Sequence, residues 1–318
     1  MRFVFFGSPP FATPVLERLL QSRHAALGVV TLPDRPRGRG RETGTSELVL
    51  LARDHAIPVF QPADPHAADF LAELRALSPD VLIVASYGVI MKEALLALAP
   101  AGALNVHASL LPRHRGASPI QAAILAGDAA TGVSLQRIVA RLDEGDVLAT
   151  RERAIGPDET AGDLLEALAP LGGLLAVEGL DLLESGRAVF TPQDHARSSY
   201  ARKLKKDQGR LDFTRTGADL ARQVRAQNPW PGARCLDPKA RELVVLRARA
   251  HGGTALGAPG ELVETSPRLL LACGEGSLEL IEIVLAGKRP MPASDYLRGA
   301  RFSRGERFAS LPEAPAKT

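Results

Sequence analysis

A chain of 318 residues is long enough for two domains, each with its own core. Hydrophobic residues at 45% and charged residues at 24% exclude a disordered or fibrous protein, and no apolar run approaches the roughly 20 residues needed to cross a bilayer. Charge is uneven: residues 200–318 hold 21 Lys and Arg against 13 Asp and Glu, a net of +8, and residues 1–199 hold 18 against 23, a net of −5. The first half alternates strand and helix signals. Residues 2–6 read as a buried strand, too short and without a cleavage site to be a signal peptide, and 14–20 as the helix after it. Strands at 27–31, 58–60, 81–85 and 104–107 follow, with helices at 46–55, 68–77 and 92–98 between them. Such βαβ units predict a mainly parallel, Rossmann-like sheet covered on both faces. A helix at 119–126, a strand pair at 132–138 and 147–153, and a long helix at 161–183 complete the α/β domain.

The chain then turns polar between residues 186 and 206, ending in the basic patch Arg202-Lys203-Leu204-Lys205-Lys206. This divides it into an α/β domain at 1–188, a linker at 189–206 and a second domain at 207–318. In the second domain, 220–227 reads as a short helix and Asn228-Pro229-Trp230-Pro231-Gly232 as a rigid turn with Trp230 packed beneath it. Close-set strands at 243–248, 260–263, 268–272 and 278–285 predict a small OB-like β-barrel, a frequent platform for nucleic acid. The net +8 of residues 200–318 points to a polyanion partner for that carboxyl-terminal third. Cys235 and Cys273 lack metal-ligand spacing and read as reduced core thiols, which points to a cytoplasmic protein.

The chemistry gathers near residue 105. Asn105 and His107 lie two apart on one strand, so their side chains face the same side at its carboxyl end, where open α/β sheets bind ligands. An amide can donate to a developing oxyanion, and an imidazole can do the same or take a proton. Asp143 in Arg141-Leu142-Asp143-Glu144-Gly145 can orient that imidazole. Singly, the three read as a turn cap, a loop histidine and a turn former. The adjoining Leu-Leu-Pro-Arg-His-Arg-Gly run weighs against that simpler account. A dinucleotide enzyme is the other Rossmann possibility, but Gly7-Ser8-Pro9-Pro10 offers no Gly-x-Gly-x-x-Gly and its prolines remove amide donors. A further segment, from Pro33 to Arg41, sets Arg35, Arg37, Arg39 and Arg41 among Pro and Gly, a composition suited to phosphate contact.

The run Asn105 to Gln121, NVHASLLPRHRGASPIQ, closely resembles the signature of the enzymes that transfer a formyl group from 10-formyltetrahydrofolate. Nearly the whole chain resembles the branch of that family acting on methionyl-tRNA. The resemblance implies catalytic roles for Asn105, His107 and Asp143. It implies a folate site lined by Ser109, Leu110, Leu111 and Pro112, with Tyr87 and Gly88, and a metal-independent reaction. The implied partner is initiator methionyl-tRNA, met by Arg37, Arg39 and Arg41, by Lys203, Lys205 and Lys206, and by Lys288 and Arg289 of the late basic turn. A monomer is expected. Two departures stand out: Pro10 replaces a residue that is usually acidic, and Glu42 to Ser46 replace a more basic stretch. Formyltransferases acting on amino-sugar nucleotides share the Trp-Pro-Gly turn, so the arginine loop and basic barrel favour tRNA. The intact Asn105, His107 and Asp143 set argues against a non-catalytic RNA-binding protein.

Overall fold

A computed structural model describes residues 1–34 and 44–312. They fall into two compact units, one of residues 1–119, 130–154 and 165–202, the other of 120–129, 155–164 and 203 onward. The elements of the first half run β1 (Arg2–Gly7), α1 (Ala12–Leu20), β2 (Ala25–Val30), α2 (Glu47–Asp54) and β3 (Val59–Phe60). They continue with α3 (Ala68–Ala76), β4 (Val81–Ala85), α4 (Glu93–Leu96) and β5 (Ala103–His107). After β5 come β6 (Arg115–Gly116), α5 (Pro119–Ala126), β7 (Ala130–Arg137), β8 (Val147–Ala154), α6 (Ala161–Glu184) and β9 (Tyr200–Ala201).

Seven of these strands form one sheet in the order β3-β2-β1-β4-β5-β7-β8. The first five are parallel, whereas β7 runs antiparallel to β5 and β8 antiparallel to β7. The expected Rossmann-like sheet is therefore present, with an antiparallel edge. Its centre is dry because β1 and β4 are continuous apolar runs: Phe3 to Phe6 and Val81 to Ala85 are all buried. α6 lies close on the other side of β5, since a Cβ at Gly172 would stand 2.7 Å from Val106. That contact fixes Val106 toward α6 and leaves Asn105 and His107 to the opposite face. β6 and β9 form a separate two-stranded parallel ladder, pairing Arg115 with Tyr200 and Gly116 with Ala201.

The second unit holds α7 (Gly217–Ala226), β10 (Ala233–Leu236), β11 (Glu242–His251), β12 (Leu262–Glu264), β13 (Leu269–Ala272), β14 (Ser277–Leu285), β15 (Met291–Pro292) and α8 (Ala293–Ala300). Thr216 caps α7 by accepting the Asp219 amide at 3.0 Å. The strands are antiparallel in the order β10-β11-β14-β13-β12, with β15 on β14. Residues 305–309 stitch the two open edges, Arg307 bridging to Glu261 and Ala309 to Leu236. The result is the OB-like barrel, closed by its own tail. β10, β15 and α8 were not anticipated from sequence, although Ala293, Tyr296, Leu297 and Ala300 carry the helical period and are buried.

Trp230 corrects one expectation. It is 52% exposed, and the turn is secured without it by Asn228 Nδ2 donating to the Leu246 carbonyl at 2.9 Å. Cys235 and Cys273 are free and buried, and burial pushes their thiols up to about 12 and about 11. No helix among the described residues is long and apolar enough to cross a membrane. Phe308 is buried in the closing tail, its ring edge-on to Phe302 with centroids 5.9 Å apart. Phe308→Ala should destabilise the second unit by about 3–5 kcal/mol, read as a lower urea midpoint followed by circular dichroism.

Candidate active site

The site is built where β5 ends. Antiparallel register sets Asn105 opposite Gln136 and His107 opposite Ser134. Ser134 is fully buried and pins the segment after β5: its hydroxyl donates to the Ser109 carbonyl at 2.7 Å and accepts the Leu111 amide at 3.1 Å. Ser109 Oγ in turn donates to the Arg113 carbonyl at 2.6 Å. The loop thus curls back and delivers the His114 carbonyl to 3.0 Å from His107 Nε2. A carbonyl oxygen only accepts, so Nε2 carries a proton and Nδ1 is the ring nitrogen left for chemistry.

Asp143 meets this pair from the β7–β8 connection. Its φ of +54° lies in the left-handed region, one that Asp tolerates better than most residues. The Gly116 amide donates to its Oδ2 at 2.8 Å, and Gln136 Nε2 donates to its Oδ1 at 2.8 Å. Asn105 Nδ2 donates to the same Oδ1 over a longer 3.3 Å. His107 Nδ1 stands 3.7 Å from Oδ2, at ion-pair distance and short of a hydrogen bond. The expectation that Asp143 orients the imidazole therefore takes a different geometric form. The His114 carbonyl holds the ring, and Asp143 supplies negative charge beside Nδ1. Because Asn105 must point Nδ2 at the carboxylate, its other N–H remains available as a donor.

Sequence reasoning missed Ser134, Gln136, the Gly116 amide and the His114 carbonyl. A signal for the first two existed: both faces of β7 are buried from Thr131 to Gln136, yet two polar side chains sit two residues apart. Buried polar groups in that pattern must serve partners. Gly116 leaves no trace of its role in sequence. Its φ is +111°, and a Cβ there would meet the Ala201 carbonyl at 2.6 Å.

The residues singled out for folate lie along the same edge of the sheet, since β4 and β5 are parallel neighbours. Ser109 is buried, while Leu110, Leu111 and Pro112 are half-buried and Gly88 is exposed at φ +81°. Tyr87 is 2% exposed and packs edge-on to Phe6, ring centroids 5.3 Å apart, and burial pushes its phenol up to about 12. Among the described residues one His/carboxylate group has metal-like spacing, His24 with Asp181 and Glu184. Both of its carboxylates are salt-bridged to Arg23, at 2.7 and 2.6 Å, and none of Asn105, His107 and Asp143 belongs to it.

Of the residues singled out for tRNA, Arg37, Arg39 and Arg41 lie outside the described residues. Lys203, Lys205, Lys206, Lys288 and Arg289 are all exposed in the second unit. Other basic residues of that unit are engaged: Arg222, Arg234, Arg241 and Arg268 each hold a carboxylate within 3.2 Å.

An amide donor, an imidazole and a carboxylate converging at the edge of such a sheet are the frame of an enzyme that moves an acyl group onto a nucleophile. Residues 1–178 match the formyl transferase family, and residues 203–301 match the formyl transferase C-terminal domain. A methionyl-tRNA formyltransferase from Xanthomonas campestris is 45% identical over 308 residues, covering 95% of this chain and 98% of the relative. One from Methylococcus capsulatus is 43% identical over 313 residues, covering 98% and 100%. The chain belongs to the methionyl-tRNA formyltransferase family.

Solved structures share the fold. An N-formyltransferase from Helicobacter canadensis, in complex with folinic acid and dTDP-3-aminofucose, matches with a TM-score of 0.64 at 18% identity, over 87% of this chain and 98% of that one. HypX from Aquifex aeolicus, in complex with tetrahydrofolic acid, matches with a TM-score of 0.63 at 18% identity, over 93% of this chain. This chain spans only 47% of HypX. Gly116→Ala should push the Gly116 amide off Asp143. Losing a hydrogen bond to a charged group, worth about 1.5–3 kcal/mol, should lower kcat about 10- to 100-fold in a steady-state formylation assay.

Proposed function

We propose that this enzyme transfers the formyl group of 10-formyltetrahydrofolate to the α-amine of initiator methionyl-tRNA, giving N-formylmethionyl-tRNA. The observation that carries this reading is identity of 43–45% to methionyl-tRNA formyltransferases over nearly the full length. The assembled Asn105, His107 and Asp143 cluster supports it. The folate supplies an activated formyl carbonyl, with Leu110, Leu111, Pro112 and the Tyr87-Gly88 turn as its ledge. The amine adds to that carbon and charge grows on the carbonyl oxygen; as the oxyanion collapses, the bond from the formyl carbon to N10 breaks and tetrahydrofolate leaves, N10 taking up a proton in exchange for the one the amine sheds. Asn105 offers its second Nδ2 proton to that oxygen. His107, fixed by the His114 carbonyl, presents Nδ1 to the reacting groups, to hold or release the proton shed by the amine. The Asp143 carboxylate, 3.7 Å from Nδ1, stabilises the imidazolium that forms. The reaction takes place in the cytoplasm, where charged tRNA is found, and Lys203, Lys205, Lys206, Lys288 and Arg289 meet the RNA together with Arg37, Arg39 and Arg41.

The direct test is incubation with 10-formyltetrahydrofolate and methionine-charged initiator tRNA, with an amino-sugar nucleotide in parallel. Formylation of the charged tRNA alone is expected; product from the amino sugar alone would overturn the acceptor assignment. Asn105→Ala should cost a factor of about 100 to 1,000 in turnover, and a loss of only a few-fold would remove Asn105 from the oxyanion role. Arg39→Ala should weaken tRNA use, spare folate binding and flatten the salt dependence of tRNA affinity, because phosphate contacts release counterions. An unchanged salt slope would take Arg39 off the RNA.

A further inference from the structure

Gln193 lies in the polar stretch between α6 and β9, which by sequence alone is a connecting segment. In the structure it is 7% exposed and faces inward. Its Oε1 accepts from Arg115 Nε at 3.0 Å and from Nη2 at 2.8 Å. Its Nε2 donates to the Asp143 carbonyl at 2.9 Å and the Gly145 carbonyl at 2.7 Å, with Gln136 Oε1 at 3.2 Å. Gln136 then donates from its own Nε2 to Asp143 Oδ1 at 2.8 Å.

This chain of hydrogen bonds has a direction. Arginine only donates, so Gln193 must turn its oxygen to Arg115 and its amide hydrogens toward the carbonyls. Gln136 must then turn its oxygen to Gln193 and its nitrogen to Asp143. Flipping either amide would set donor against donor at one end and acceptor against acceptor at the other. Arg115, 1% exposed, is itself fixed: Nη1 lies 3.3 Å from both the Tyr200 hydroxyl and Glu144 Oε1. The Tyr200 hydroxyl donating to Glu144, with Arg115 and Arg141 alongside, holds that carboxyl below its usual range, so the buried guanidinium has a dependable counter-charge.

We propose that Gln193 is a positioning residue for formyl transfer. Through Gln136 and through the carbonyls of Asp143 and Gly145 it holds the Asp143 carboxylate in place, with Arg115 dictating which way its amide faces. Two features make this more than packing. The carbonyls it ties belong to Asp143 and to the residue two beyond, so they brace a residue at φ +54° that would otherwise relax. The directional relay also ends on the oxygen that Asn105 shares. The inference rests on the formyl-transfer reading above.

The test compares Gln193→Leu, Gln193→Glu, Gln136→Leu and the Gln193→Leu/Gln136→Leu double variant with wild type. The Leu variants should lose about tenfold or more in kcat while KM for 10-formyltetrahydrofolate and for methionyl-tRNA stays within about twofold. The double variant should lose less than the product of the two single losses, because the two amides share the route through Gln136 to Asp143. Gln193→Glu keeps an acceptor for Arg115 but turns a carboxylate oxygen on three acceptors, so it should be at least as slow as Gln193→Leu. A kcat within about twofold of wild type, or losses that multiply in the double variant, would overturn the proposal. A fall of kcat together with a rise in both KM values and a lower melting temperature would reduce Gln193 to a structural role. Wild type runs in the same assay, so failure of the functional reading appears separately as no formylation by wild type. In that event the ring nitrogen resonances of His107 decide: a shift in Gln193→Leu sustains the relay, and unmoved resonances overturn it.

Discussion

The burial of one carboxylate organises this site. The Asp143 side chain is 9% exposed, and a charge taken that far from water must be met by donors or the local fold does not form. Those donors come from three stretches of chain: the end of β5, the β6 glycine and the antiparallel strand β7. Each stretch is constrained by the same requirement, that a hydrogen point at Asp143. Asn105 is thereby turned with its amide nitrogen inward, Gly116 is held with its N–H exposed to the carboxylate, and Gln136 loses its freedom to flip. The proposed catalytic residues are oriented as a consequence of satisfying a charge.

Sheet topology makes those meetings possible. Five parallel strands carry their loops to one carboxyl edge, the usual place for ligand in an open α/β sheet. The reversal at β7 adds something a sixth parallel strand would not. Antiparallel pairing sets Ser134 and Gln136 directly opposite His107 and Asn105, at the spacing of cross-strand neighbours. Ser134 then controls the loop that places the His114 carbonyl, and Gln136 reaches the carboxylate. Burial of both faces of β7 removes water as a competing partner and stiffens these bonds.

The second unit solves a different problem. A short antiparallel sheet has two edges, each a row of unpaired amides and carbonyls. Residues 305–309 cover both, and the apolar interior of the barrel closes behind them. Its surplus of positive charge is sorted by structure: several arginines are consumed in salt bridges to glutamate or aspartate, whereas the lysines after Arg202 and in the late turn project outward. A charge count registers the surplus without showing which cations remain available to a polyanion.

What the sequence determined follows from local rules. Apolar runs such as Val81 to Ala85, and the helical period of 161–183, specify their own elements, and the order of elements specifies a parallel sheet with a barrel after it. Asn105 and His107 were legible because strand periodicity alone puts residues two apart on one side. The placement of Asp143 against Asn105 depends instead on register between β5 and β7 and on a connection folding back, neither of which is a local property. The backbone donors and acceptors at Gly116 and His114 carry no side-chain signature. Gln193, 50 residues from Asp143, looks like any polar linker residue until the fold brings it to the Asp143 carbonyl. Trp230 shows the converse: an aromatic residue reads as core, but its turn is anchored by Asn228, so packing never required it. Local pattern thus decided which elements form, and only the tertiary structure decided which polar groups must satisfy one another.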